Sequence, residues 1–186
     1  MAALPDPSTS LSGEDLAVFR HMAEVRAHSD GRAALGEVYV RMFNNPGVAS
    51  AVGALGEHLR FHGTLPDDVR EIVILRYAAR AGYPYELAHH VRPATLAGVS
   101  RGVIDAVIAG AIPGDLADAS RAAIEAVDAV VARRSIPADV QARVVAAHGN
   151  AGIVEIVALC GLYGLMGAMV TAFDIPIEKD LPGHTA

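Results

Sequence analysis

Cysteine occurs once in these 186 residues, at Cys160, and tryptophan does not occur. A single thiol excludes a disulfide framework, a Cys-x-x-Cys redox pair and a cysteine-built zinc site. Lysine is equally scarce, with Lys179 the only one among otherwise arginine cations. Positive net charge is lacking too: the formal charge is −6 and the pI is near 5.7. A nucleic-acid partner would need a basic face, so none is expected. No Gly-rich phosphate loop and no nucleophile elbow is present. The first residues, Met1 to Asp15, have neither a basic nor an apolar region of the signal-peptide kind. The expected location is therefore the cytoplasm.

What the chain does have is apolar surface. Hydrophobic residues make up 52% and charged residues 19%, too apolar for a disordered chain and enough for a sizeable core. The length suits one domain, residues 1–186. Strand-like alternation is absent, and Gly and Pro fall between helically periodic stretches. Helices are predicted over about 12–28, 33–44, 47–62, 67–81, 85–97, 100–109, 116–133, 137–147 and 151–173. Residues 1–11 read as a flexible arm, 37–110 as the chemistry-bearing helices and 116–177 as a C-terminal helical part. Asn45-Pro46, Pro66-Asp67-Asp68, Gly82, Pro84, Gly98 and Ser100 sit where helix caps and first turns place such residues. Residues 153–173 carry one charge, Glu155, and are long enough to span a bilayer. Gly161, Gly164 and Gly167 and the lack of flanking basic asymmetry favour a core or subunit-interface helix instead, so no membrane association is expected.

Chemistry-bearing residues cluster in two neighbouring helices. Glu71 falls between Ile74, Leu75 and Ala78 on a helical projection. A carboxylate there must be paired or hydrogen-bonded, and burial favours its neutral form. Such a group serves either as a general acid or base or as a structural partner for an Arg or a helix end. Glu86 and His90 are four residues apart and share one face, so Glu86 is expected to orient the imidazole. His89 points elsewhere, or reaches Glu86 at three residues. A Glu-x-x-His-His run also admits a metal, but it lacks the zincin order and a further ligand, so no metal is expected. His58 and His62 either close over the same pocket, where His58 and His89 would touch the substrate, or are a solvated or helix-capping pair. His21, His28, His148 and His184 have no companions in sequence. Glu155 is expected to cap its own helix or to meet an Arg, and Cys160 to be an inert buried thiol.

Leu65-Pro66-x-x-x-Arg70-Glu71-Ile72-Val73-Ile74-Leu75-Arg76, then Tyr85-Glu86-Leu87-x-x-His90, then Ala97-Gly98-Val99-Ser100 resemble the carboxymuconolactone decarboxylase family, which includes alkylhydroperoxidase D. Glu155-Ile156-x-x-Leu159-x-Gly161-x-Tyr163 resembles the C-terminal helix of members of similar length. The resemblance implies an all-α, alkylhydroperoxidase D-like helical bundle that forms a homo-oligomer (dimer, trimer or hexamer). It places Glu71 and His90 on the active-site Glu and His of alkylhydroperoxidase D. The peroxidase's two Cys positions fall on Tyr83 and Glu86, so dithiol peroxidase chemistry is unavailable. The expected activity is lyase-like acid/base catalysis without a cofactor, a decarboxylation or related proton transfer on a small lactone or enolisable acid. His90 would move the proton, Glu86 would orient it, and Glu71 would transfer a second proton or hold the other ring nitrogen. Tyr83 or Tyr85 would hydrogen-bond the substrate, and Arg76 or Arg92 would clamp a carboxylate. A family member that only binds a small apolar ligand or a protein partner is the alternative.

Overall fold

The centre of the structure is a helix with almost no outer face. In this computed structural model, which describes residues 4–30 and 35–181, α4 spans Asp67–Ala81. Every residue from Val69 to Arg76 on it is buried. The Asp67-Asp68 pair opens it, where the macrodipole favours acids, and Gly82 closes it with φ of 75°. That left-handed position costs glycine least.

Among the described residues seven other helices surround it: α1 (Gly13–Asp30), α2 (Glu37–Met42), α3 (Pro46–Glu57), α5 (Pro84–Leu96), α6 (Arg101–Ile108), α7 (Asp118–Val131) and α8 (Ala138–Ala172). No strand occurs among the described residues, as expected for an all-α chain. The main core joins α4 to α2, α3, α7 and α8 through residues such as Phe43, Val73, Ile74, Val127, Ile156 and Leu159. A smaller one joins α4 to α5, α6 and α7 through Leu75, Ala94, Ile104, Val107 and Ile124. Several predicted caps are realised. Asn45 accepts from the Val48 amide and Ser100 from the Val103 amide.

The structure departs from the predicted boundaries in three places. The helix predicted to run to residue 62 ends at Glu57 and continues as a π-helical turn, His58–His62. The two predicted C-terminal helices are present as the two arms of α8, but they meet directly at a kink, Gly149, whose φ of 67° and ψ of −179° are non-helical, rather than across a three-residue gap. Helix α2 begins at Glu37, and residues 33–34 of its predicted start lie outside the described residues. So do residues 1–3 of the predicted arm and His184. The rest of the arm is held: the Pro5 carbonyl accepts from Asn44, and Leu11 packs against the core.

Helix α8 is long and apolar enough to cross a membrane by length and composition. In the bundle, however, Glu155, Ile156, Leu159, Cys160, Leu162, Tyr163 and Met166 are buried. Its glycines admit aromatic neighbours. A side chain at Gly164 would meet the Tyr77 hydroxyl, and one at Gly167 would overlap the Tyr83 ring.

Candidate active site

Two helices converge on one buried cavity. The neighbouring helices α4 and α5 bring Glu71 and His90 together, and His90 Nδ1 lies 2.7 Å from Glu71 Oε2. The other carboxylate oxygen, Oε1, accepts from Arg70 Nε at 3.3 Å. Both partners are buried. The cavity measures about 50 Å³ and is lined by Glu86, His90 and Tyr163, by the guanidinium side chains Arg26 and Arg60, and by Tyr39, Tyr85 and His89. Tyr163 from α8 meets the His90 ring edge-on at 4.9 Å.

Glu86 shares a face with His90, as the spacing predicts, but it does not orient the ring. Glu71 holds Nδ1 instead, so the expectation for Glu86 is corrected. The physical reason is that α5 turns its Glu86/His90 face toward the cavity, while α4 approaches His90 from the side. Glu86 is left buried, with Oε1 lacking a hydrogen-bond partner.

Electrostatics assign different states to these groups. Burial works to raise Glu71, but the hydrogen bond and charge of His90, with Arg60 and Arg70, hold it below the ordinary carboxylate range. Burial pulls His90 below the usual imidazole value against the pull of Glu71. Together these directions describe an ionised Glu71 accepting from the Nδ1–H of a neutral His90. That fixes the tautomer with the Nε2 lone pair available to the cavity. Burial pushes Glu86 up to about 8; Arg60 opposes the rise and Glu178 adds to it. Near neutral pH, therefore, the cavity holds a carboxylic acid and an imidazole base. Two environments have pushed their proton affinities into different roles.

Glu86 has a consequence for stability. Its folded pKa lies above the ordinary 4.5, so the stability it contributes is full below pH 4.5. That contribution is lost as pH rises through about 8. Urea denaturation across that window is expected to show wild type weakening with rising pH, and Glu86→Gln lacking that part of the slope. Equal slopes would show that Glu86 ionises normally in the fold.

Other expected site residues are placed differently. Tyr85 lines the cavity, but its hydroxyl is committed, donating to Glu178 Oε1 at 2.9 Å and accepting from the Val38 amide at 3.3 Å. His89 also lines the cavity and bonds Glu178 at 2.8 Å rather than Glu86. Tyr83 lies outside, against Tyr77 and Gly167. Arg76 is a correction as well. It is buried, bonds Asp128 through Nε at 2.8 Å and Nη2 at 2.6 Å, and reaches the Val107 and Ala111 carbonyls. A guanidinium bridging α4, α6 and α7 cannot clamp a ligand in the cavity, and Arg92 is exposed. His58 and His62 line a separate groove between α1 and α3, because the π-helical turn carries them away from His90. Glu155 neither caps α8 nor meets an Arg. It accepts from the Thr64 and Leu65 amides at 2.7–3.0 Å, holding the turn between Arg60 and α4.

Arg26, Arg60, Tyr39 and Glu178 were not singled out from the sequence. The only signal for Arg60 was its position between His58 and His62 at a helix end. Tyr163 stood in the family-like run of α8 but not as a site residue. Among the described residues no cluster of His, Cys, Asp or Glu has metal-binding geometry. Burial pushes the Cys160 thiol up to about 12, which leaves it essentially without thiolate near neutral pH.

The site is thus a buried Glu–His pair in a helical bundle, and Cys160 is not among the residues that line its cavity. The model of the carboxymuconolactone decarboxylase family matches residues 46–129, from α3 into α7. The chain lacks the Cys-x-x-Cys pair. Among solved structures it is similar to the debrominase Bmp8, both in its apo form and in a single-site variant in complex with 2,3,4-tribromopyrrole. Each comparison gives 20% identity over 91% of this chain and 90% of that chain, with a TM-score of 0.74. At that identity the likeness shows a shared fold. No curated protein matches the chain.

Proposed function

We propose that the protein is an enzyme catalysing non-redox acid/base chemistry, a decarboxylation or related proton transfer on a small lactone or enolisable carboxylic acid. The observation that carries this reading is the Glu71–His90 hydrogen bond at the wall of a cavity that also holds protonated Glu86. In a decarboxylation the bond to the carboxylate carbon breaks, carbon dioxide leaves, and the electron pair stays on the substrate as an enolate. Arg26 and Arg60 supply positive charge where that anion develops. Glu86 delivers the proton to carbon. In a proton transfer without loss of carbon dioxide, His90 Nε2 removes the proton and Glu71 stabilises the imidazolium formed.

The test is incubation in deuterium oxide with a panel of small lactones and β-keto or enolisable acids, followed by mass spectrometry and carbon dioxide detection. Deuterium incorporation or carbon dioxide release that survives Cys160→Ser is expected. Thiol-dependent turnover, or none across the panel, would sink the reading. A hydroperoxide assay should show no dithiol peroxidase cycle.

One observation favours a second reading, ligand binding without chemistry. The open groove between α1 and α3 measures about 510 Å³ and is lined by Ala17, Val18, Met22, Gly53 and Ala54, with His21, Glu57, His58 and His62 at its polar side. That volume suits a small apolar ligand. A thermal shift with a panel compound that is never converted would support it.

A homo-oligomer is also proposed. Val154, Val157 and Leu165 stand 65%, 45% and 40% exposed on one side of α8, an apolar stripe that a second copy would cover. Light scattering should give a mass above one chain, and Val154→Glu should lower it.

A further inference from the structure

Behind the cavity wall a second carboxylate is held by three donors. Glu178 lies in the strap that follows α8, and its Oε1 accepts from Tyr85 Oη at 2.9 Å and from the Glu37 amide at 2.8 Å. Its Oε2 lies 2.8 Å from His89 Nε2. The Tyr85 and His89 rings lie 4.4 Å apart and 30° from parallel, a rigid pair presenting both donors to one point. Gly36 lets the chain close in: a side chain there would stand 3.3 Å from Tyr85 Oη and 3.6 Å from Glu178 Oε1. The arrangement holds a carboxylate well. Although burial works against it, these hydrogen bonds and the His89 charge bring Glu178 down to about 2.

This seat and the acid/base cavity share a wall, since Gly36, Tyr85 and His89 line both. The cavity is also small. About 50 Å³ is little room for a lactone or an organic acid. Movement of the wall would enlarge it. Among the described residues Glu178 is the one carboxylate at the seat, and it comes from a short irregular strap rather than from a packed helix.

We propose that Tyr85 Oη, His89 Nε2 and the Glu37 amide form a carboxylate-binding subsite of the cavity, occupied in the free chain by Glu178 of its own C-terminal strap and taken over by an incoming carboxylate that displaces it. The inference rests on the acid/base reading for the chemistry after binding, but binding itself requires no turnover. Displacement moves Glu178 into solvent, joins the seat to the cavity, and leaves the ligand's carboxylate beside Glu86 and His90. No covalent bond changes.

The experiment uses the full chain and sodium acetate as the probe, with sodium chloride at matched ionic strength as the control. In Glu178→Ala, acetate is expected to shift the His89 ring resonances saturably and to raise Tm beyond the chloride effect. Wild type should need at least tenfold more acetate, because acetate must first displace a tethered carboxylate that is already seated on all three donors. Adding Tyr85→Phe to Glu178→Ala should weaken acetate binding about tenfold. Should Glu178→Ala fail to fold, Glu178→Gln keeps the strap length with a neutral, weaker occupant, and it too should bind acetate more tightly than wild type. No saturable shift in a folded variant, or identical titrations in variant and wild type, overturns the subsite. Acetate binding without turnover of any panel compound would uphold it and count against the acid/base reading. Turnover without acetate binding would do the reverse.

Discussion

Replacing His90 with Ala is expected to lower turnover about 10²–10⁴-fold, the usual contribution of a positioned acid/base group. The substrate would be a compound that the deuterium-exchange panel shows to exchange a proton without losing carbon dioxide, the branch in which His90 takes the proton. The loss should fall on kcat more than on KM, because the ring acts on a proton in transit rather than on bound substrate. Glu71→Gln separates two ways the dyad could work. Its amide keeps the side-chain shape but loses the charge that stabilises an imidazolium and fixes Nδ1–H as donor. Glu71→Gln is therefore expected to fall between wild type and His90→Ala. Full activity in His90→Ala would remove the ring from the mechanism and leave Glu86 as the remaining proton carrier.

Arg76 yields the second large effect, and it is structural. Its guanidinium is buried, and it meets Asp128 through two nitrogens and two carbonyls of the α6 end and the following loop. Breaking a buried pair by removing one partner costs about 3–5 kcal/mol, because the other charge is left behind. The Asp128 side chain is a quarter exposed and has Arg80 at 3.5 Å, so Arg76→Ala should fall at the lower end, about 3 kcal/mol by urea denaturation. The folded fraction of that variant should keep an unchanged KM. A KM rise with intact stability would restore Arg76 as a substrate clamp.

These two residues also show what was legible in the sequence. Arg76 and His90 stand in the same family-like block, and periodicity placed both on helices that meet. Their assignment depended on which side of α4 faced the cavity. One-dimensional spacing could not give that, because α4 is buried on every side and offers no polar face for reference. Most helices, most caps and the all-α class followed from punctuation that acts locally, such as Asn45, Gly82 and Ser100. The Glu71–His90 contact was within reach as one of two roles open to Glu71. The Glu86–His90 pairing was not realised, because the i,i+4 rule describes an isolated helix surface, whereas a neighbouring helix supplied the better partner. Glu178 was invisible for a different reason. It lies 88 residues beyond His90 in an irregular tail, and only the folded chain returns it to α5.

The π-helical turn at His58–His62 carries a consequence for how this site could change over evolutionary time. A π-turn is one residue wider than the α-helical turn it replaces, and each residue of an α-helix turns the chain by about 100°. Deleting one residue within the turn would restore regular winding and swing Arg60 about that far around the helix axis, away from Glu86 and His90. Glu155 clamps the chain just beyond at Thr64 and Leu65, so the deletion would be absorbed locally and α4 would stay in place. A single codon's loss could thus strip the cavity of a cation without disturbing the bundle, giving this chain a short route to a site of different polarity.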